Sequence, residues 1–400
     1  MKSKNSILRK PAVQTLLSSL LCILLGLLVG FIALLIINPS GAGEAIMDII
    51  KNFLNYSKQT TQLKNMGNTL VKTAPLLMCS LSVLFAYKVG LFNIGAAGQY
   101  SLGMGVALYL ALQHTIPGHS AQIPWYICLI CGVIAGGLSG ALGGVLKAYC
   151  NVNVVISGIM LNWISLYGMN MLLKPVMDPA GKDTYRLVSK AKEAILPTLG
   201  MDKLFSKNQY VTIAIPMAIL FAVIVWIVLD KTKLGFELKA TGNNPNAAKY
   251  CGMKENRNII LTMVLAGGLA AMGGALYYLS DFEQWNVNAS AVPAMGFNGI
   301  AAAFLGGLNP IGCIFSSYFI THITIGGGNV DLNHYCAQIA DFISAVIIYF
   351  CGFVLFFKTL INNRLRKGDE RFTAKEREAV KAAEVKTDDK VDLNKEGGKQ

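Results

Sequence analysis

Residues 17–37 read LSSLLCILLGLLVGFIALLII, an uncharged run that as a helix rising 1.5 Å per residue is long enough to cross roughly 30 Å of hydrocarbon. Lys2, Lys4, Arg9 and Lys10 precede it, a start that resembles a signal peptide, but the run exceeds the roughly 7 to 15 residues of a signal core. The reading is an uncleaved spanning helix. The whole chain agrees with that reading: 54% of its 400 residues are hydrophobic and 14% are charged, where soluble domains carry roughly 25% charged.

Working outward, further spanning runs occur at 69–87, 92–112, 125–146, 154–173, 211–229, 259–279 and 335–357. The stretch 298–325 is interrupted at Asn309 and Pro310 and counts as one short and one longer span. The expected fold is an all-α integral membrane protein of about ten transmembrane helices, some broken or short. Residues 1–16 form a cytoplasmic segment, 17–358 the membrane domain, and 359–400 a charged cytoplasmic tail too poor in large apolar residues to fold.

Basic residues set the orientation. With both termini in the cytoplasm, 24 of the 35 Lys and Arg lie inside, including six in the loop 231–257 and twelve from Lys358 onward. The outer loop 174–209 opposes this with seven basic residues, partly offset by Asp178, Asp183, Glu193 and Asp202. The net charge of +13 is therefore a topology signal, and the expected surroundings are membrane lipid rather than nucleic acid.

The span starting Leu-Phe-Asn-Ile-Gly-Ala-Ala-Gly (91–98) and the one five spans later starting Gly-Phe-Asn-Gly-Ile-Ala-Ala-Ala (296–303) look related. They enter the membrane from opposite sides, as inverted-topology halves do. Asn93 and Asn298, beside glycines at helix starts, mark irregular backbone, which survives at membrane depth only where protein or a wet cavity satisfies it. With Gln99 and Asn162 they are candidates for a path that recognises a neutral solute; the alternative is hydrogen-bonded helix glue. Gly132, Gly136, Gly140 and Gly144 form one face of a helix and read as a packing device, as do Gly267, Gly268, Gly273 and Gly274.

Chemistry of other kinds is missing from the sequence. No G-x-x-x-x-G-K-[ST] phosphate loop occurs, so the chain is not expected to hydrolyse nucleotide itself, and no catalytic residue, metal site or cofactor is assigned to it. Cys128 and Cys131 form a C-x-x-C without a second pair and read as small packing residues. Asp341 is the clearest ionisable group in a span; the scarcity of such groups argues against an ion-coupled transporter.

One loop contains a docking element. In Ala-Thr-Gly-Asn-Asn-Pro-Asn-Ala-Ala-Lys-Tyr-Cys-Gly (240–252), Asn244 is a good N-cap, Pro245 fits the first helical position, and Gly252 can take the left-handed conformation that ends a helix. A helix of about two turns is unstable alone, so its apolar residues Ala247, Ala248 and Cys251 need a surface.

Three segments, 88–99, 240–250 and 296–312, together resemble permease subunits of bacterial ABC importers, and more narrowly the nucleoside and simple-sugar branch, over about residues 65–360. The resemblance implies a multi-pass subunit of the bacterial plasma membrane, paired with a second permease that is commonly a related, different chain. It also implies an ATP-binding subunit carrying ATP and magnesium, and an extracytoplasmic substrate-binding lipoprotein. In such permeases the loop between spans six and seven couples to the ATPase, which maps onto Gly242, Asn243, Asn244, Pro245, Ala247 and Ala248. Relatives often have Val-Asn-Glu-Val-Ile after the fourth span, where this chain has Val154 in place of the acid. The expected function is import of a nucleoside; alternatives are a simple-sugar or branched-chain amino acid permease, or an ion-coupled secondary transporter.

Overall fold

The computed structural model describes residues 11–330, 335 and 339–365. The side chain of Asp341 and the tail after residue 365 lie outside the described residues. Among the described residues the principal α-helices follow in order: α1 (Pro11–Ile37), α2 (Ala42–Lys51), α3 (Gln59–Lys88), α4 (Ala96–Leu112), α5 (Trp125–Cys150), α6 (Val154–Leu173), α7 (Leu187–Lys190), α8 (Met201–Leu204), α9 (Ala214–Lys231), α10 (Lys233–Asn243), α11 (Pro245–Tyr250), α12 (Glu255–Tyr278), α13 (Ala294–Leu305), α14 (Pro310–Gly326) and α15 (Ile339–Cys351). Contacts divide the chain into Cys22–Gly352 and a smaller unit of residues near the two ends, and the account below concerns Cys22–Gly352.

The protein is all-helical among the described residues, with only isolated β-bridges at Met177–Thr184 and Asp183–Asn286. Among the described residues six helices are long and apolar enough to cross a membrane: Val13–Ile37, Gln59–Lys88, Trp125–Cys150, Val154–Val176, Ala214–Lys231 and Glu255–Tyr278. The remaining runs expected to span form shorter helices, 17 residues in α4 and α14, 12 in α13 and 13 in α15. Their brevity has local causes. Positive-φ Gly90 and a non-helical stretch through Asn93 delay the start of α4, while positive-φ Gly307 and Leu308 end α13, and Asn309 then caps α14 by accepting hydrogen bonds from the Ile311 and Gly312 amides.

Helices α3 and α12 are enclosed by their neighbours, whereas α5, α6 and α9 each keep an exposed apolar stripe. The glycine faces explain how α12 sits so deep. A Cβ on Gly140 would collide with the Met263 carbonyl oxygen, one on Gly136 with the Ala271 side chain, and one on Gly132 would come within 2.6 Å of the Gly103 carbonyl oxygen. From the other side, Gly274 of α12 admits the Tyr100 carbonyl of α4. Helix association in hydrocarbon relies on such close contact, because lipid supplies no hydrophobic drive between helices.

The loop 174–209 is folded onto the turn after α12. Thr184 N–H donates to the Trp285 carbonyl (2.9 Å), Val287 N–H to Lys182 (2.9 Å) and Leu196 N–H to Leu279 (3.1 Å). Leu187, Ala191, Ala194 and Leu196 of this loop are buried. The buried carboxylate of Asp281 accepts from Leu187 N–H at 2.8 Å. At the opposite end of α9 lie α10 and α11.

Candidate functional site

Two regions stand out, a small helix held at one end of the bundle and a polar cluster inside it. In the first, the Asn244 side chain accepts from the Ala247 amide at 3.1 Å, Pro245 is the first residue of α11, and Gly252 has φ +79°. Gly252 N–H donates to Lys249 (3.0 Å) and Met253 N–H to Ala248 (3.0 Å), the paired bonds of a helix stop that uses a left-handed glycine.

The segment is tied to its own chain on one side only. Ala248 is buried, while Asn243, Asn244, Pro245, Ala247 and Cys251 are exposed and Tyr250 is 94% exposed. The apolar residues expected to share a seat are thus divided, with Ala248 covered and Ala247 and Cys251 left outward. Below, Gly242 packs so closely on Val89 that a Cβ would collide with its carbonyl, and a Cβ on Gly90 would meet the Gly242 carbonyl oxygen at 3.0 Å. Thr241 Oγ1 accepts from Asn258 Nδ2 at 2.8 Å, which joins α10 to the first turn of α12. A cavity of about 380 Å³ opens beside the turn after α3, lined by Gly90, Leu91, Phe92, Lys147, Asn153 and Val154 among others.

The stretch resting on Gly242 runs straight into the second region. Asn93 is fully buried, and its Nδ2 donates to Ser82 Oγ (3.1 Å) and Gln99 Oε1 (2.8 Å). Its Oδ1 has no hydrogen-bond partner among the described residues. Asn162 is engaged with backbone on both sides of its amide, accepting from Gly98 N–H at 2.7 Å and donating to the Ile94 carbonyl at 3.1 Å. Those two bonds satisfy the backbone that the late start of α4 leaves open. Asn298 is half-buried within the regular helix α13 (Ala294–Leu305), not on the irregular helix start expected for it, because α13 already begins at Ala294 after Pro293; Gly296 of the same helix abuts the Ala97 backbone.

The two Phe-Asn segments therefore meet. Phe92 and Phe304 have ring centroids 6.4 Å apart, and Tyr87 lies edge-on to Phe304 at 5.2 Å. Asn93, Gln99 and Asn162 come together around the first turn of α4. Ser82 and the Thr241–Asn258 pair were not singled out in the sequence; a hydroxyl inside an apolar helix is a weak signal, since it can bond to its own helix. What the arrangement can do chemically is hydrogen-bond a neutral group. No group of three or more His, Cys, Asp or Glu side chains able to hold a metal occurs among the described residues.

Comparison with known proteins follows the same lines. A family model described as a branched-chain amino acid transport system permease component matches residues 65–352. The chain is 34% identical over 292 residues to a nucleoside ABC transporter permease, NupB, of Lactococcus lactis, covering 72% of this chain and 79% of that one. It is 31% identical over 360 residues to a guanosine ABC transporter permease, NupP, of Bacillus subtilis, covering 88% and 97%. A glucose ABC transporter permease of Haloferax volcanii is 27% identical over 356 residues, covering 87% and 90%. No solved structure matches.

Proposed function

The chain belongs to the family of branched-chain amino acid transport system permease components, and from that membership we propose that it is the membrane-spanning permease subunit of an ATP-driven importer that carries a nucleoside. The carrying observation is its 31% identity to a guanosine permease across 97% of that protein's length. A glucose permease among the relatives keeps a simple sugar as the second reading.

In this reading the chain does no chemistry of its own, and ATP with its magnesium sits on a partner subunit. Of the six residues Gly242, Asn243, Asn244, Pro245, Ala247 and Ala248, the exposed Asn243, Asn244, Pro245 and Ala247 meet that subunit in the cytoplasm, while Gly242 and the buried Ala248 seat the segment on its own chain. The stroke passes through the Gly242–Val89 contact into the broken segment at Asn93, and through Thr241 and Asn258 into α12. Uncharged amides, Asn93, Gln99 and Asn298, line the solute path, and Asn162 holds the irregular backbone in place. Ten crossings in two inverted halves, both termini cytoplasmic, account for the meeting of the two Phe-Asn segments. A second permease completes the path, and an extracytoplasmic lipoprotein delivers the solute to the outer-loop side.

The test is uptake of labelled guanosine into proteoliposomes holding the permease pair, the ATPase and the lipoprotein. Vanadate-sensitive uptake that unlabelled nucleosides compete away is expected. Competition by glucose alone would replace the substrate, and uptake that resists vanadate but collapses with an ionophore would overturn the ATP-driven mechanism.

A further inference from the structure

The exposed stripes of the membrane helices follow one rule, and α6 breaks it. Along α5 the exposed residues are Ile130, Ile134, Leu138 and Leu142, and the tyrosines, Tyr126 and Tyr149, stand at its two ends. On α9 the exposed residues are Ile219, Leu220, Ile224 and Ile227. A bilayer selects this arrangement, with aliphatic side chains in hydrocarbon and Trp or Tyr at the headgroup level. The α6 stripe instead interrupts its isoleucines with Met160, Trp163, Tyr167 and Met171.

Trp163 sits at the midpoint of the 20-residue α6 and Tyr167 one turn further on, so neither reaches a headgroup layer by position. The rings are stacked, with centroids 6.1 Å apart and planes 24° from parallel, and the residues are 42% and 53% exposed. Neither the indole N–H nor the phenol O–H has a partner among the described residues. The other polar side chains of α6 are satisfied inward: Asn162 by Gly98 and Ile94, Asn170 by Ala289 and Trp285, Ser157 by Val154. Two open donors in mid-hydrocarbon are costly, because lipid offers no acceptor.

We propose that the Trp163–Tyr167 stack faces the aqueous solute path, where water satisfies its two donors, and receives the planar base of a nucleoside, ring face against base face. The proposal rests on the nucleoside reading above and assigns its base to these residues. Stacking on aromatic side chains suits any nucleobase, since each has a π-face. Its neighbour Asn162 bonds to Ile94 and Gly98, so the stack lies level with the broken segment that rests on Gly242. Movement of that segment shifts the surface on which the base lies.

The test introduces Trp163→Cys and Tyr167→Cys, with Leu138→Cys on α5 as the lipid-facing control and the parental chain as background, into the full complex in proteoliposomes. A negatively charged methanethiosulfonate is excluded from hydrocarbon, so labelling at 163 and 167 on the order of tenfold faster than at 138 is expected. Guanosine and uridine should slow it, and glucose should not. Rates no faster than at 138 overturn the proposal, as does labelling indifferent to every solute, which leaves nucleoside uptake itself intact. Slowing by glucose but by no nucleoside overturns the base assignment together with the nucleoside reading. In parallel, Trp163→Ala should raise the KM for guanosine about tenfold, the scale of base–aromatic stacking, and Trp163→Phe should restore it.

Discussion

Asn162 and Asp281 show how single side chains hold this molecule together, and each makes a prediction. Asn162→Ala leaves the Gly98 amide and the Ile94 carbonyl unpaired in a buried setting, at about 1–3 kcal/mol each. A lowered thermal midpoint of the purified complex and lost uptake are expected; an unchanged midpoint would show that the bonds carry little. Asp281 is 97% removed from solvent by its 3% exposure, and its Oδ2 has no partner among the described residues. Burial raises its pKa, opposed by the Leu187 and Val188 amides and by Arg186. The folded state therefore holds the proton more tightly than the unfolded chain does, so stability falls as pH rises from the ordinary carboxylate value through the raised one. Asp281→Asn keeps an acceptor for Leu187 N–H and should flatten that fall, read as thermal midpoints between about pH 4 and pH 7.

Among the elements, α5 with α12 and the small α11 behave differently. The α5–α12 seam leaves no room for a side chain, so Gly136→Leu, which drives into Ala271, is expected to abolish assembly, visible as loss of the protein from the membrane. Normal membrane levels with transport would refute the packing role. Ala247 on α11 is exposed in its own chain, so Ala247→Glu should leave membrane levels intact while ATP-driven uptake is lost. Asn244→Ala removes the cap and should loosen α11 by about 1 kcal/mol, giving a milder loss of the same kind. The cap, the proline and the terminating glycine were all legible in the sequence, because a helix end is decided by neighbours a few residues away. That Ala248 turns inward while Ala247 and Tyr250 face outward was not, since it depends on how α10 rests against Val89.

At the scale of the whole molecule, α10 and α11 and the folded loop 174–209 occupy opposite ends of α9. In a chain whose exposed Cys150 and Cys251 are replaced by serine, Tyr250→Cys should react with an impermeant thiol reagent from the cytoplasmic side only, and Leu199→Cys, 70% exposed in the wild-type residue, from the other only. Labelling of both from one side would refute the proposed topology. The membrane class, the glycine faces and the broken helix starts at Asn93 and Asn309 could be read from the chain alone, because hydrophobic length, helical period and cap chemistry are local properties. The division of 298–325 at Asn309 was legible too, but span number was harder to read, since a run such as 92–112 has enough apolar residues while its helix begins only at Ala96 and is 17 residues long. Tertiary structure alone decided which amide is a strut and which is open. Asn93 and Asn162 look alike in sequence, yet Asn162 finds both partners more than 60 residues away across the α4–α6 contact, and the Asn93 oxygen has no partner among the described residues. A hydrogen bond depends on where atoms meet after packing, and the residue type fixes only what can be offered there.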